Sequence, residues 1–280
     1  MRFAPSAGVG GHALESAMGF RPAAFQFVLP PQCPCCGKFL EEGQEGFCSH
    51  CLSEIHWIKP PFCSACGTPF PSGGIQNHPC GACMMRRKYF TMARALGAFE
   101  GSLQTAIHRW KYEGKTYLTP FFAEWMAEGL SRYWEPNSLD LLIPVPLHPQ
   151  RLRERGFNQA LLLAKELSRR TSIPYFKTIL RKNKPTLPQV NPSGVEREKG
   201  LRGAFHVVGK EELSGKSVLL VDDVYTTGAT VNECSKVLVK GGAGRVDVLT
   251  LAHAIKGSSL GDKKIKTPSD LPDAQPCFAG

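Results

Sequence analysis

The sequence predicts an α/β protein in which helices flank an open parallel β-sheet and a small metal-binding module precedes the sheet. Two observations support this fold class. Short apolar runs alternate with helical patterns from about residue 89 onward, and four Cys-x-x-Cys pairs occupy the segment before it. The chain has 280 residues, which is long enough for one ordinary domain with a sizeable core and one small module.

The two ends of the chain do not resemble packed elements. Residues 1–31 are rich in Gly, Ala and Ser, and residues 258–280 are rich in Pro, Ser, Asp and Lys. We therefore expect both tails to be disordered. No apolar run approaches the length of a membrane span, and the first residues lack the charged, apolar and cleavage-site succession of a signal peptide. We accordingly predict a cytoplasmic protein without a membrane span.

Nine of the eleven cysteines lie within one short segment that ends at Cys83. Disulfides are rare in the cytoplasm, so paired cysteines there indicate a metal. Each Cys-x-x-Cys pair can present two thiolates to a tetrahedral ion, and two pairs complete a site with four sulfur ligands. The predicted ligands are Cys33 and Cys36, Cys48 and Cys51, Cys63 and Cys66, and Cys80 and Cys83.

The spacing of the pairs predicts two successive zinc ribbons over residues 32–88, with two structural Zn²⁺ ions. Eleven residues separate Cys36 from Cys48, and thirteen separate Cys66 from Cys80. A cross-brace that joins the first pair to the third stays open, as do a redox motif and a disulfide scaffold. Cys35 is a spare thiol that could replace a neighbouring ligand. The module is either a docking or nucleic-acid-binding surface or a purely structural appendage.

Residues 89–257 form the predicted sheet domain. The segments "SLQTAIHRWKYEGK", "LTPFFAEWMAEGLSRYW" and "GFNQALLLAKELSRR" have helical periodicity, and "LDLLIPVPL" is a predicted strand. We expect Trp110 and Trp125 to belong to the core. The inward positions of the last of these helices are predicted to be Phe157, Leu161, Ala164 and Leu167.

Most of the formal net charge of +10 lies between Arg151 and Arg202, where thirteen Lys or Arg against four Glu leave +9. Arg151 and Arg155 belong to a predicted basic loop that follows a strand end, where they suit a ligand with a highly charged phosphate group. Residues 179–205 carry several Pro and Gly among charged residues. We expect this segment to be a mobile arm that acts as a lid, and not a core strand.

The stretch "VLLVDDVYTTGAT" places two acids after a buried strand and follows them with the start of a helix. In open parallel sheets, ligands bind at the carboxyl ends of the strands. The first amides of a helix attract an anion, whereas Asp222 and Asp223 repel a bare phosphate. The motif therefore predicts a sugar phosphate, with Mg²⁺ to offset the remaining charge. An ordinary acidic turn between strand and helix is the alternative.

This stretch resembles the phosphoribosyl pyrophosphate signature of type I phosphoribosyltransferases. Together with the double zinc ribbon, "RGFNQALLLAKEL", "TLPQ" and "EREKGLRGAF", it resembles the ComF family of bacterial competence-associated proteins. The resemblance implies a type I phosphoribosyltransferase-like sheet domain. It also implies that phosphoribosyl pyrophosphate binds with Mg²⁺ and that pyrophosphate is displaced from the ribose.

The resemblance implies a role for each matching residue. Asp222 and Asp223 would hold the ribose hydroxyls, Arg197 would close over the site with the arm, and Arg151 and Arg155 would contact pyrophosphate. His148 is an outside candidate for a general base. The pocket for the 5-phosphate would be formed by Thr226, Thr227, Gly228, Ala229 and Thr230.

A second class of function stays open, because a phosphoribosyltransferase fold does not guarantee transfer. The protein could be a non-catalytic ligand sensor that binds single-stranded DNA or a competence protein during natural transformation. The basic excess fits both hypotheses, since phosphates of either ligand recruit the same side chains. Sparse aromatic residues in the basic stretch argue against a dedicated DNA groove. We therefore favour the enzyme.

Overall fold

The computed structural model describes residues 31–70, 78–135, 137–184 and 200–255. Apart from residue 31, the two predicted tails lie outside these ranges, and so does Arg197. The strands are β1 (Ala93–Ala98), β2 (Leu141–Pro144), β3 (Leu180–Lys182), β4 (Phe205–Val207), β5 (Ser217–Tyr225) and β6 (Arg245–His253). The α-helices are α1 (Ser49–Ser53), α2 (Gly81–Met85), α3 (Gly101–Tyr112), α4 (Thr119–Tyr133), α5 (Pro149–Arg155), α6 (Gln159–Thr171) and α7 (Ala229–Lys240).

Four strands form a parallel sheet in the order β1-β6-β5-β2. The predicted open parallel sheet is thus confirmed, and β5 lies in its interior. Residues 218–221 are completely buried because helices cover both faces of this strand. Val218 and Leu220 pack into one core cluster, which includes residues of α7, whereas Leu219 and Val221 pack into the other, which includes residues of α3, α4 and α6. This alternation along β5 fixes the direction of the side chains that follow.

Two details of the predicted helices are corrected. The segment after β2, predicted as a basic loop, contains the short helix α5, because Pro149 opens it and the His148 side chain accepts the amide of Gln150 at 3.3 Å. On α6, Leu163 is buried with Ala164 and Leu167, whereas Leu161 is only half-buried, as is Phe157, which precedes the helix. The inward face is therefore displaced from the predicted one.

The two ends of the predicted arm are strands. β3 and β4 pair antiparallel, with Leu180 opposite Val207 and Lys182 opposite Phe205. Leu180 and Phe205 belong to the buried core, so the prediction that this segment contains no core strand was wrong at both ends. Burial of these two apolar side chains stabilises the strands, although charged residues surround them in the sequence. Residues 185–199, between the two strands, lie outside the described ranges.

The segment between the two ribbons extends the main sheet. Trp57 forms an antiparallel bridge with Gly97, and the amide of Ile58 donates to the carbonyl of Leu96 at 2.8 Å. Residues 56–58 thus satisfy the outer edge of β1, which would otherwise expose unpaired backbone groups. The module before the sheet is therefore joined to it by backbone hydrogen bonds. None of the helices in the described part of the chain is long and apolar enough to cross a membrane.

Candidate functional site

The turn between β5 and α7 has the form that the sequence predicts. Gly228 is the N-cap of α7, with φ +74, and it supplies no capping side chain to the first amides of the helix. A Cβ at this position would overlap the Tyr225 hydroxyl, so only glycine fits the turn. Thr226 is exposed, and Thr227 and Thr230 are half-buried. The turn therefore combines the first helix amides with hydroxyl groups at the carboxyl end of a buried strand, and one of these hydroxyls, Thr227 Oγ1, accepts the amide of Ala229 at 3.4 Å.

The two acids of β5 lie on opposite faces of the sheet, as the alternation along the strand requires. Asp223 lies on the side of α3, where its Oδ1 is 2.8 Å from the ammonium Nζ of Lys111. Both side chains of this ion pair are only 14% exposed. Such limited access to solvent strengthens the pair beyond an ordinary surface contact. α3 thus supplies a cation to the site.

Asp222 lies on the side of α7 and β3. Its Oδ1 accepts the amide of Asp223 at 2.9 Å. Burial, and then the charge of Asp223, raise the pKa of Asp222 to about 7, although Lys111 and Lys182 oppose the shift. Burial also lowers the pKa of Lys182. The acid pair therefore lies between two lysines, one from each face of the sheet.

Sequence reasoning missed both lysines. Lys111 belongs to a helix whose pattern indicated only packing, and Lys182 belongs to a segment that was predicted as an arm. A half-buried lysine cannot be distinguished from an exposed one by its neighbours in the sequence. The ion pair with Asp223 joins α3 to β5, and no local pattern contains both elements.

The predicted basic contacts lie on α5, beside the acids. The amide of Val145, just before this helix, donates to the carbonyl of Val221 at 2.9 Å. Arg155 donates to Gln159 Oε1 at 2.8 Å and lies over the ring of Tyr112 at 5.0 Å. Burial of Lys182 is the main cause of its lowered pKa, and the charge of the half-buried Arg151 lowers this pKa further. The segment that leads from β2 to α5 is thus anchored to β5 next to Asp222.

The eight predicted ligand cysteines form two clusters. Cys33, Cys36, Cys48 and Cys51 make up the first, and Cys63, Cys66, Cys80 and Cys83 make up the second. All four sulfur atoms of a cluster lie within 4.8 Å of one another. The structure therefore joins successive pairs and not the first pair with the third.

The donor geometry fits zinc. The Sγ atoms of Cys36 and Cys48 are 3.7 Å apart, and so are those of Cys66 and Cys80. A tetrahedral ion with Zn–S bonds of about 2.3 Å separates its sulfur ligands by about 3.8 Å. The spare Cys35 lies outside both clusters and donates to the carbonyl of Ser102 on α3 at 3.2 Å.

The second ribbon belongs to the main core. Cys63 and Cys66 pack in the same cluster as Tyr225, whereas the cysteines of the first ribbon form a small cluster of their own and that ribbon reaches the main core through Phe47. Gly67, with φ +71, lets the ribbon approach β1, since a Cβ there would come 2.7 Å from the carbonyl oxygen of Ala93. Arg94 clamps the same contact by donating to the carbonyl of Ser64 at 3.1 Å. The second ribbon is therefore more than an appendage.

A chain of contacts leads from the second cysteine cluster to the turn between β5 and α7. Cys66 Sγ is 3.0 Å from Thr68 Oγ1, which is 3.1 Å from His253 Nε2. The His253 ring lies 4.6 Å from the ring of Tyr225, whose hydroxyl fills the space above Gly228. Burial lowers the pKa of His253 to about 4, so the ring is neutral at pH 7. A metal-bound thiolate would accept from Thr68, which in turn would accept from His253.

Two family models match the chain. Residues 24–84 match the double zinc ribbon domain, and residues 158–274 match the phosphoribosyl transferase domain. Competence protein F of Haemophilus influenzae is 33% identical over 227 residues, which cover 80% of this chain and 97% of that protein. Competence protein ComFC of Bacillus subtilis is 27% identical over 77% of this chain and 88% of its own length. DNA utilization protein YhgH of Escherichia coli K12 is 27% identical over 81% of this chain and 99% of its own length.

Solved structures show more distant similarity. Glutamine phosphoribosylpyrophosphate amidotransferase from Bacillus subtilis is 24% identical, with a TM-score of 0.33, over 48% of this chain and 26% of that protein. Purine phosphoribosyltransferase from Pyrococcus horikoshii is 21% identical, with a TM-score of 0.32, over 49% of this chain and 73% of that protein. The parallel sheet, the paired acids, the glycine turn and the two cysteine clusters agree with the two family models. The relatives show that this chain belongs to the ComF family, in which a double zinc ribbon precedes a type I phosphoribosyltransferase fold and named members are linked to competence.

Proposed function

We propose that the protein binds phosphoribosyl pyrophosphate with Mg²⁺ and transfers the phosphoribosyl group, with release of pyrophosphate. One observation carries this proposal. The acid pair and the glycine turn lie at the carboxyl end of the same interior strand. A ligand that has hydroxyl groups near one end and a phosphate at the other matches these two kinds of partner. Reduced thiolate clusters also favour a cytoplasmic location.

The turn between β5 and α7, which we call the phosphate turn, receives the 5-phosphate in this proposal. The backbone amides from Thr226 to Thr230 and the threonine hydroxyls are the donors, and the positive end of α7 faces the anion. Thr227 Oγ1 accepts the amide of Ala229 at 3.4 Å, and a phosphate oxygen takes its place in this proposal. Gly228 and Ala229 carry at most a methyl group, so no long side chain covers the amides. The ribose hydroxyls then lie near Asp222 and Asp223.

The acids and lysines of the site set its charge. Carboxylate oxygens are suitable ligands for Mg²⁺, and Asp223 already holds one cation, the ammonium of Lys111. When bound, Mg²⁺ would neutralise charge on the pyrophosphate leaving group. Lys182, Arg151 and Arg155 stabilise the same developing charge from the protein side. We propose that Arg197, outside the described residues, completes this set.

The chemistry is displacement at C1 of the ribose through a transition state with oxocarbenium character. Fixed cations around the departing pyrophosphate favour bond cleavage because they are already oriented before the reaction. We do not assign a general base, because His148 uses its Nδ1 to cap α5. The nucleophile is an amine or a nucleobase in the reaction class of this fold.

Isothermal titration calorimetry with Mg²⁺ and phosphoribosyl pyrophosphate tests the site. We expect Asp222→Asn/Asp223→Asn to weaken binding at least about tenfold, which corresponds to about 1.4 kcal/mol. Asp140→Asn is the matched control, because Asp140 precedes β2 at the opposite end of the sheet, where it accepts the amide of Ser217. Equal binding by wild type and the double variant would remove the assignment. A pyrophosphate-release screen over amines and nucleobases then tests catalysis.

A second candidate function is a sensor that binds single-stranded DNA or a competence protein without catalysis. The names of the relatives, which refer to competence and DNA utilization, favour it. The test follows the affinity for a single-stranded oligonucleotide against salt concentration, in wild type and in Arg153→Ala/Lys165→Ala, two exposed positions of the basic stretch. A binding constant that falls steeply with salt supports this function, and a flat response contradicts it.

A further inference from the structure

An amide and an aromatic ring hold the side chain of Arg155 in place. Its Nη1 donates to Gln159 Oε1 at 2.8 Å, and its guanidinium lies 5.0 Å from the centre of the Tyr112 ring. Within the described residues, Arg155 takes part in no ion pair. A carboxylate partner would offset the charge of the guanidinium, whereas an amide oxygen and a ring restrain the group without neutralising it. Arg155 is therefore oriented by the protein and still able to attract an anion.

The partner of Arg155, Gln159, is a polar residue in a buried position. It is only 1% exposed, and its Nε2 has no hydrogen-bond partner in the described part of the chain. A buried amide group that is left unpaired destabilises the folded state. An apolar side chain of similar size would avoid this cost, so stability alone does not account for a glutamine here. The bond from Arg155 to the other end of the same amide gives the glutamine a role.

The turn between α5 and α6 fixes this pair of side chains relative to the main sheet. Asn158 is the N-cap of α6, and its Nδ2 donates to the carbonyl of Val145 at 3.1 Å. The amide of Val145 in turn donates to the carbonyl of Val221 on β5 at 2.9 Å. The first residue of α6, Gln159, is thus tied through its neighbour to the strand that carries the acid pair.

Arg155 lies close to the acid pair as well. Tyr112, whose ring it contacts, directly follows Lys111 on α3, and Lys111 Nζ lies 2.8 Å from Asp223 Oδ1. Burial lowers the pKa of His108 on the same helix, and the nearby charges of Lys111 and Arg155 lower it further. Two cations therefore lie together at the end of α3, one of them paired with an acid and the other not.

We infer that Gln159 is a positioning residue, which holds the Arg155 guanidinium in the orientation that contacts the pyrophosphate group of the substrate. This inference rests on the proposed function, in which Arg155 is a pyrophosphate contact. Without the amide oxygen, only the ring of Tyr112 restrains the arginine, and that side chain is itself 58% exposed. The guanidinium must then be ordered when the ligand binds, which costs affinity. Arginine binds phosphate oxygens through a planar fork, so its orientation matters as well as its charge.

Calorimetry of the full chain with Mg²⁺ and three ligands tests the inference. We expect Gln159→Leu to weaken the binding of phosphoribosyl pyrophosphate and of inorganic pyrophosphate about threefold to tenfold. Binding of ribose 5-phosphate, which lacks the pyrophosphate group, is expected to stay unchanged. The matched control is Gln150→Leu, which removes an exposed glutamine of α5 that donates to Glu154 Oε1 at 3.1 Å. It is expected to bind all three ligands like wild type.

A double-mutant cycle separates positioning from damage to the fold. In a chain that carries Arg155→Ala, adding Gln159→Leu is expected to weaken the binding of pyrophosphate no further, because the group that Gln159 holds is gone. Thermal unfolding of Gln159→Leu shows whether the variant is folded. Gln159→Met is the second variant, since methionine is similar in length and also lacks the amide oxygen.

The outcomes distinguish this inference from the proposed function. If wild type binds phosphoribosyl pyrophosphate and Gln159→Leu binds it equally well, only the inference is overturned. An equal loss of affinity for ribose 5-phosphate, or a further loss in the chain with Arg155→Ala, also overturns the inference, because either result indicates a structural defect. If wild type binds pyrophosphate but not phosphoribosyl pyrophosphate, the proposed function fails and the pyrophosphate data alone decide the role of Gln159. A wild type that binds neither ligand overturns both.

Discussion

The aromatic ring of Tyr225 lies against the imidazole of His253, with ring centroids 4.6 Å apart. The two residues are the last of β5 and β6 and pair in the parallel sheet. Tyr225 shapes the glycine turn, and His253 contacts Thr68 of the second ribbon. The metal-binding module therefore reaches the candidate substrate site through packed side chains.

We predict that Thr68→Val weakens both the fold and the substrate site. The change removes the hydrogen bonds to His253 and Cys66 and leaves a buried imidazole without its partner, at an expected cost of about 1–3 kcal/mol. Affinity for phosphoribosyl pyrophosphate is expected to fall about threefold to tenfold. Zinc content measured by mass spectrometry is expected to stay at two ions. Lys38→Ala, at the corresponding exposed position of the first ribbon, is the control and is expected to change neither property.

We predict that Gly228→Ala destroys the phosphate turn. Alanine is strained at φ +74, and its Cβ would also overlap the Tyr225 hydroxyl. The control is Gly215→Ala, where φ is +69 and no atom lies within 4 Å of the added Cβ. Both variants are expected to lose about 1 kcal/mol or more of stability. In calorimetry, only Gly228→Ala is expected to lose affinity for the ligand, and equal losses in both variants would contradict the assignment of the turn.

We predict an energetic coupling between Lys111 and Asp223. Lys111→Met leaves a poorly solvated carboxylate without its cation, so the free energy of unfolding is expected to fall by about 1–3 kcal/mol. Asp223→Asn in the same chain is expected to restore most of this loss. A double-mutant cycle by urea denaturation measures the coupling. A coupling energy of zero would show that the 2.8 Å contact contributes nothing in solution.

Local patterns were sufficient to predict the ligand cysteines and the motif of strand, acids and turn. Each cysteine pair and the stretch around Asp222 carry their chemistry within a few consecutive residues. The residues that support these motifs were not predicted, because they come from distant segments. Thr68 and His253, for example, are 185 positions apart in the sequence. Leu180 was missed for a different reason, since one apolar residue among charges does not produce a strand pattern.

We predict that the two metal clusters contribute unequally to stability. Cys33→Ser and Cys63→Ser are both expected to lose one bound zinc ion, because each removes one of four sulfur ligands. Cys63 packs in the core cluster of the main sheet, so Cys63→Ser is expected to lower the melting temperature of the whole domain. Cys33→Ser is expected to lower it less, because the sulfur cluster of the first ribbon lies outside the main core, and to loosen that ribbon, as followed by hydrogen exchange. Equal melting temperatures for the two variants would show that the second ribbon folds independently of the sheet.

We predict that Asp222 makes the protein less stable as the pH rises. Its pKa is raised to about 7 in the folded state, because of burial and the charge of Asp223. Between about pH 4 and pH 7 the folded protein therefore holds a proton that the unfolded chain has released. Under these conditions the free energy of unfolding falls with increasing pH. Asp222→Asn removes this dependence and is expected to melt about 4 °C or more above wild type at pH 8.

The contribution of Asp140 to stability is expected to depend on pH in the opposite direction. The hydrogen bond from the amide of Ser217 lowers the pKa of Asp140, so its contribution to stability is present at neutral pH and is lost as the pH falls through this lowered pKa. Asp140→Asn is therefore expected to destabilise the protein at pH 7 but not in strong acid. Melting temperatures of the three proteins, measured by calorimetry from about pH 2 to pH 8, compare the two effects. A constant difference between Asp222→Asn and wild type above pH 4 would mean that Asp222 ionises with its ordinary pKa, and that neither burial nor Asp223 disfavours its charge.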